Sequence, residues 1–164
     1  MVADESRLPN GPVISRPAIF EKLNEQYTDP SQVSDSEWRQ HCTPEEFYVC
    51  RMAGTEPQFS GILTKNFAKG RYSCRCCGVD LFLSESKYWA HCGWPTFHSS
   101  YRNDMNIIRK LDNRFGLNRT EVQCKKCFAH LGHIFDDDLP ESGERYCINS
   151  VALDFVKEGD EQSD

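Results

Sequence analysis

Beyond Arg71 the chain is divided into short runs rich in apolar and β-branched residues, at 79–82, 106–111, 121–124, 133–135 and 146–155. Glycine, proline and aspartate separate them, the punctuation of short strands joined by tight turns. The pattern predicts a small, mainly antiparallel β domain. Upstream the period changes. Residues 36–42 form a short helical segment carrying Trp38, and a second helix is signalled more strongly by Thr43-Pro44-Glu45-Glu46. There the threonine serves as N-cap, the proline takes the first helical position, and the glutamate three residues after the cap closes a capping box. Phe47, Val49, Cys50 and Met52 give that helix a partly apolar surface.

Residues 1–33 carry Pro9, Pro12, Pro17 and Pro30 with few regularly spaced apolar positions, so they are expected to form a partly ordered arm. Residues 34–156 are expected to form the domain, and 157–164 a flexible acidic tail. A hydrophobic share of 38% is low for a compact fold of 164 residues, so a covalent or metal staple is expected to support one core. Nine cysteines supply candidates, and an odd number cannot all pair within one chain.

The first residues show no basic stretch followed by an apolar one, and no run reaches membrane-span length. A cytoplasmic protein with no membrane partner is the expectation. A mitochondrial address stays open through Arg7 and Arg16, against which Asp4 and Glu5 weigh. A formal charge of −6 repels polyphosphate, so no nucleic-acid partner is expected.

Cys74-Arg75-Cys76-Cys77 and Cys124-Lys125-Lys126-Cys127 each hold two thiols three positions apart, the spacing with which a tight turn aims both sulfurs at one tetrahedral ion. Together they read as a structural Zn2+ site of Cys74, Cys77, Cys124 and Cys127. The basic residues beside the thiols are expected to lower thiol pKa values and offset thiolate charge. The alternatives are buried reduced cysteines and a thioredoxin-like redox pair. The segment between the knuckles exceeds the roughly 15–20 residues of a simple zinc ribbon, so the domain itself is built between them.

Cys42 and Cys50 fall in the helical region and read as packing residues. Cys147 differs, because Arg145 lies two residues earlier, on the same face of a strand, where it favours a thiolate. His130-Leu131-Gly132-His133 sets two imidazoles around a glycine that permits a turn. Packed histidines, a second metal site and acid catalysis beside a cysteine all fit that segment. Cys92-Gly93-Trp94-Pro95 reads either as a packed corner or as a mobile thiol beside an apolar wall.

In order along residues 36–156, TPEEFYVCRMAGTEPQFSG, the two knuckles, CGWPTFHSSY, AHLGHIFDD and ERYCINSVAL resemble the B-type peptide-methionine-R-sulfoxide reductases. The resemblance implies two small antiparallel three-stranded sheets, a four-cysteine zinc site remote from the catalyst, and reduction of the R epimer of methionine sulfoxide in oxidised proteins or peptides. It implies Cys147 as catalytic cysteine and Cys92 as recycling cysteine, with Trp94, His130, His133 and Asn149 on active-site positions. The expected cycle runs through a Cys147 sulfenic acid and a Cys92–Cys147 disulfide. A thioredoxin-like dithiol restores the thiols of a monomer. The histidines are expected to supply the acid, and Arg145 joins Trp94 and Asn149 at the substrate. Thr96, His91, Phe128 and Cys76 depart from the family pattern. The rival from another class is a non-catalytic, zinc-stabilised interaction module of similar fold, which leaves Cys92, His130, His133 and Cys147 without a joint purpose.

Overall fold

The computed structural model describes residues 15–159. The first fourteen residues of the expected arm and the last five of the expected tail lie outside the described residues. Helix α1, Asp35–His41, starts at Ser34, whose hydroxyl accepts from the Glu37 amide. Helix α2, Pro44–Cys50, carries the complete capping box. The Thr43 hydroxyl accepts from the Glu46 amide at 3.1 Å, and the Glu46 carboxylate accepts from the Thr43 amide at 2.8 Å. Two orphan donors at the helix start are thereby satisfied.

Eight strands follow, all paired antiparallel: β1 Gly70–Cys74, β2 Asp80–Leu83, β3 Thr96–Phe97, β4 Ile107–Asp112, β5 Arg119–Cys124, β6 His130–Asp136, β7 Glu144–Ile148 and β8 Leu153–Lys157. They form one sheet in the order β2-β1-β8 and a larger one in the order β3-β7-β6-β5-β4. The mainly β class with two antiparallel sheets matches the expectation, but the second sheet has five strands where three were expected. Two of its members lie at the edges. One is β3, a two-residue strand that follows Pro95 and leaves little pattern to read. The run at 146–155 is also two strands, because Asn149 leaves the ladder and Ser150–Ala152 form a 3-10 turn.

The sheets face each other through aromatic rings. Phe82 of the small sheet stacks on Phe97 of the large one at 4.3 Å between centroids. Tyr72 meets Phe97 edge-on at 5.1 Å, and Phe82 meets Tyr146 at 5.6 Å. Such pairs contribute about 0.5–1.5 kcal/mol each beyond the area they bury. Ahead of the helices, Ile19 and Leu23 are buried in the same core. The Ile19 and Phe20 amides donate to the Arg75 and Cys76 carbonyls, so this segment closes over the first knuckle.

Gly132 lies inside β6 and not in a turn. A Cβ there would lie 2.0 Å from the Cys147 carbonyl oxygen on β7, so only glycine lets the two strands approach. Gly132→Ala is expected to cost about 1–3 kcal/mol, the usual penalty of overpacking. Urea unfolding measures it, and an unchanged midpoint would refute the close approach.

Candidate active site

Each cysteine knuckle is the turn of a hairpin. Cys74 ends β1 and its amide donates to the Val79 carbonyl; Cys124 ends β5 and its amide donates to the Ala129 carbonyl. In both turns the residue after the second cysteine donates back to the first at 2.8 Å, Gly78 to Cys74 and Phe128 to Cys124. That residue is left-handed in both, with φ of +90° and +65°, which explains why glycine suits the position that Phe128 occupies.

The hairpins come from different sheets and meet tip to tip. Their four sulfurs, of Cys74, Cys77, Cys124 and Cys127, lie within 4.8 Å of one another, with Cys74–Cys127 at 3.7 Å and Cys77–Cys124 at 3.5 Å. Zinc–sulfur bonds of about 2.3 Å in a tetrahedron require sulfur–sulfur edges near 3.8 Å, so the donor set fits such an ion. Arg75 does not serve the thiolates as expected. Its guanidinium bonds Glu46 at 2.7 Å and Asp154 at 3.1 Å, pinning α2 and β8 to the first knuckle. Arg51 takes the place near the sulfurs, donating to the Cys127 carbonyl at 3.1 Å. Cys42, Cys50 and Cys76 are buried in the adjoining core.

Within the large sheet, Cys147 lies on β7 with His133 directly across on β6 and Thr96 directly across on β3. Register partners project to one face, so Cys147 stands between an imidazole and a hydroxyl. The loop before β3 brings Cys92 alongside. Its sulfur is 3.6 Å from that of Cys147 and 3.0 Å from the Thr96 hydroxyl. A disulfide needs about 2.05 Å, so joining them takes a short inward movement of the loop. The loop is held in left-handed turns at His91 and Gly93, with φ of +60° and +92°, and the Trp89 indole donates to His91 Nδ1 at 2.7 Å.

The two thiols hold protons unequally. A hydrogen bond from Cys147 is the largest influence holding Cys92 down to about 5, against the cost of burial, with Thr96 assisting. The same contact, with burial added, pushes Cys147 up. At neutral pH the pair therefore carries one negative charge and one proton between two sulfurs. The charge of Arg145 favours the thiolate form on either sulfur.

His130 and His133 would fall on opposite faces of a regular strand. The register shifts between Val122 and Gln123 of β5, where Leu131 makes β6 bulge between them, and their rings come to 5.4 Å between centroids. Each is bonded to a carboxylate of the neighbouring strands, His130 Nδ1 to Glu121 at 2.6 Å and His133 Nε2 to Asp112 at 2.8 Å. Burial is the main influence lowering the His133 pKa, with Asp112 opposing. The Arg114 guanidinium holds Asp112 far below the usual carboxylate range, and His133 lowers it further.

A small cavity of about 70 Å³ opens beside Cys147, lined by Thr55, Trp94, Arg119, Gly132, His133, Phe135 and Asn149 as well. The structure thus brings Cys147, Trp94, His133 and Asn149 to one cavity, with Cys92 against Cys147. His130 lies behind His133 and does not line the cavity. Arg145 also stands off it, over the Phe135 ring and 3.8 Å from Asp137. Trp94 Nε1 donates to the Glu56 carbonyl at 3.0 Å, while the Asn149 amide accepts from the Glu56 amide and donates to the Leu131 carbonyl. Sequence reasoning missed Asp112, Glu121 and Arg119, whose spacing from the histidines carries no motif; only strand register brings them together.

A close thiol pair beside an imidazole and a small cavity, in a chain whose four other clustered thiols could hold a metal ion, defines a thiol-dependent oxidoreductase. Residues 42–157 match the SelR domain. The chain is 49% identical to the probable methionine-R-sulfoxide reductase B of Caenorhabditis elegans, covering 79% of this chain and 86% of the relative. It is 49% identical to the mitochondrial methionine-R-sulfoxide reductase B2 of Homo sapiens, over 75% and 71% of the two chains. With the peptide methionine sulfoxide reductase of Pseudomonas syringae pv. syringae the identity is 48%, over 78% and 97%. The chain belongs to the B-type methionine-R-sulfoxide reductase family.

Two measurements check the site. Cys77→Ser and Cys127→Ser should each lose stoichiometric metal and much of the thermal stability, since metal affinity in such a site is folding free energy. Retention of both in either variant would remove that ligand. In the reduced protein, alkylation of Cys92 by iodoacetamide should rise through pH about 5. Cys147→Ala removes the largest cause of that low value, so the midpoint should move upward toward an ordinary thiol; an unmoved midpoint would sink the shared-proton account.

Proposed function

We propose that the protein reduces the R epimer of protein-bound methionine sulfoxide, with Cys147 as the attacking sulfur. The observation that carries this is the 3.6 Å approach of Cys92 to Cys147 beside a cavity walled by Trp94 and Phe135. As Cys147 attacks the substrate sulfur, Cys92, the thiolate of the pair, accepts the Cys147 proton. The substrate's S–O bond breaks and an S–O bond to Cys147 forms. Methionine sulfur gains two electrons, and Cys147 becomes a sulfenic acid. Cys92 then attacks Cys147 as a thiolate, forming the disulfide and expelling the oxygen as hydroxide, which takes a proton from solvent to become water. A thioredoxin-like dithiol reduces that disulfide and is itself oxidised.

Trp94 and Phe135 receive the terminal methyl. In the S epimer oxygen and methyl exchange places, which would bury the oxygen against these rings without a partner and disfavour its binding. Asn149 fixes the cavity floor through its two backbone bonds, and Arg145 supports the thiolate charge and braces Phe135. His133 walls the cavity, fixed by its bond to Asp112, with His130 and Glu121 packed behind it. Zinc held by Cys74, Cys77, Cys124 and Cys127 supplies a cross-link, since four thiolates leave no open position for a reacting water.

No helix among the described residues is long and apolar enough to cross a membrane. We place the protein as a monomer in the cytosol, where a glutathione-poised environment keeps such thiols reduced.

Cys147→Ser should form no methionine. Cys92→Ser should release about one methionine per chain, stall with thioredoxin as reductant, and keep partial turnover with dithiothreitol. Assays on separated R and S epimers of a dabsylated substrate test the proposal. No reduction of the R epimer by wild type with either reductant would leave the interaction-module reading, and full thioredoxin-linked turnover of Cys92→Ser would move recycling to another thiol.

A further inference from the structure

We propose that Arg119 is the group that grips the sulfoxide oxygen, through its guanidinium N–H donors, and stabilises the charge that grows there as Cys147 attacks. This rests on the reductase reading above and assigns the part of the cavity that receives the oxygen. Arg119 begins β5 and lines the cavity together with Cys147, Trp94 and His133. Among the described residues its one polar contact is long, Nη2 to Asp112 at 3.4 Å. Its Nε is buried and meets no acceptor. A buried N–H donor that meets no acceptor is costly, and a strong acceptor delivered by the substrate relieves it.

The other polar groups of the cavity are committed elsewhere or unsuited. Trp94 Nε1 donates to the Glu56 carbonyl, and Asn149 Nδ2 to the Leu131 carbonyl. Thr55 is exposed at the mouth and offers only a neutral hydroxyl. His133 is bonded through Nε2 to an Asp112 carboxylate that Arg114 keeps ionised, so in the neutral ring Nε2 holds the proton. Its Nδ1 then presents a lone pair, which repels the sulfoxide oxygen. The Arg119 guanidinium, by contrast, carries a planar fork of five donors and no acceptor.

Oxygen transfer from the sulfoxide to a thiol needs no net proton. The proton that Cys147 gives up to Cys92 returns to the sulfenic oxygen, while Arg119 donates hydrogen bonds throughout and loses none of its protons. The groups facing His133 are Asp112 on β4, Arg114 after it, Arg119 and Glu121 on β5, His130 on β6, and Cys147 with Cys92 beyond. Of these the guanidinium alone combines a fixed positive charge with a place on the cavity wall.

The test is single-turnover methionine release from the R epimer by metal-loaded wild type, Arg119→Met and Arg119→Lys. Iodoacetamide alkylation of the thiol pair and thermal melting are measured alongside. Losing one such donor typically slows the chemical step by about 10²- to 10³-fold. Arg119→Met should fall by that factor, with alkylation and melting near wild type, and Arg119→Lys should recover part of it. The residual Arg119→Met rate should also decline as pH rises through the His133 value, which loss of the Arg119 charge raises, since only protonated His133 can then donate to the oxygen. Wild type should lack that limb. A purely structural role for Arg119 creates no new pH dependence. Wild-type reduction with Arg119→Met within about threefold of it, or with no added histidine limb, would overturn the assignment while sparing the reductase reading. Failure of wild type itself would overturn both.

Discussion

Everything in this fold hangs on two hairpin tips that meet. Each tip carries two thiols, and because one hairpin belongs to the small sheet and the other to the large, bringing the four sulfurs within 4.8 Å ties the sheets together at one end. The aromatic stack of Phe82 on Phe97 holds them where the strands run on. Four thiols crowded without an ion gain little, since a thiol is a weak donor and acceptor. With an ion the same crowding becomes a cross-link between strands about fifty residues apart in sequence, the kind of long closure that contributes most in the chain-entropy picture. A chain with a modest apolar fraction can then keep a rigid large sheet.

That rigidity matters because the reactive groups are set by strand register. Cys147 faces His133 across one ladder and Thr96 across the other, and a single-residue slip would turn the sulfur to the opposite face. The bulge on β6 is the compensating irregularity, since it alone lets two histidines three residues apart share a side. Gly132 sits at that place and lets the β6 and β7 backbones close up behind the thiol. Cys92, by contrast, comes from a loop, as suits a group that must move inward by more than an ångström to form a bond.

Local chemistry was legible in the sequence and tertiary pairing was not. The capping box of α2 follows from four consecutive residues, and the knuckles from fixed short spacings, so both could be read directly. Strands β1 and β3 were missed because Gly70–Cys74 opens on a glycine and β3 is only two residues long. The glycine between the histidines was read as a turn residue, and its cause lies in β7, whose backbone presses on it. Arg75 was read as a partner of its neighbouring thiolates, whereas carboxylates of α2 and β8 claim it. Arg119 and Asp112 carry no motif at all. They become partners of His133 only through the β4–β5–β6 register.

The division between titrating and permanent charges follows from where those partners sit. A histidine buried against a carboxylate feels two opposing forces: burial disfavours the imidazolium and Asp112 favours it, and burial prevails. Asp112 shares its own charge with Arg114, which is why it supports His133 less than an isolated carboxylate would. Burial thus shifts the balance toward the neutral ring, while the thiol pair is already singly ionised from about pH 5 upward. An acid that loses its proton where the nucleophile gains its charge would leave a narrow working range. A guanidinium on the next strand avoids that conflict, because its donors do not titrate with either group. The electrostatics of the cavity then divide between two positions: a mobile proton held between the sulfurs, and a fixed positive charge where the oxygen must lie.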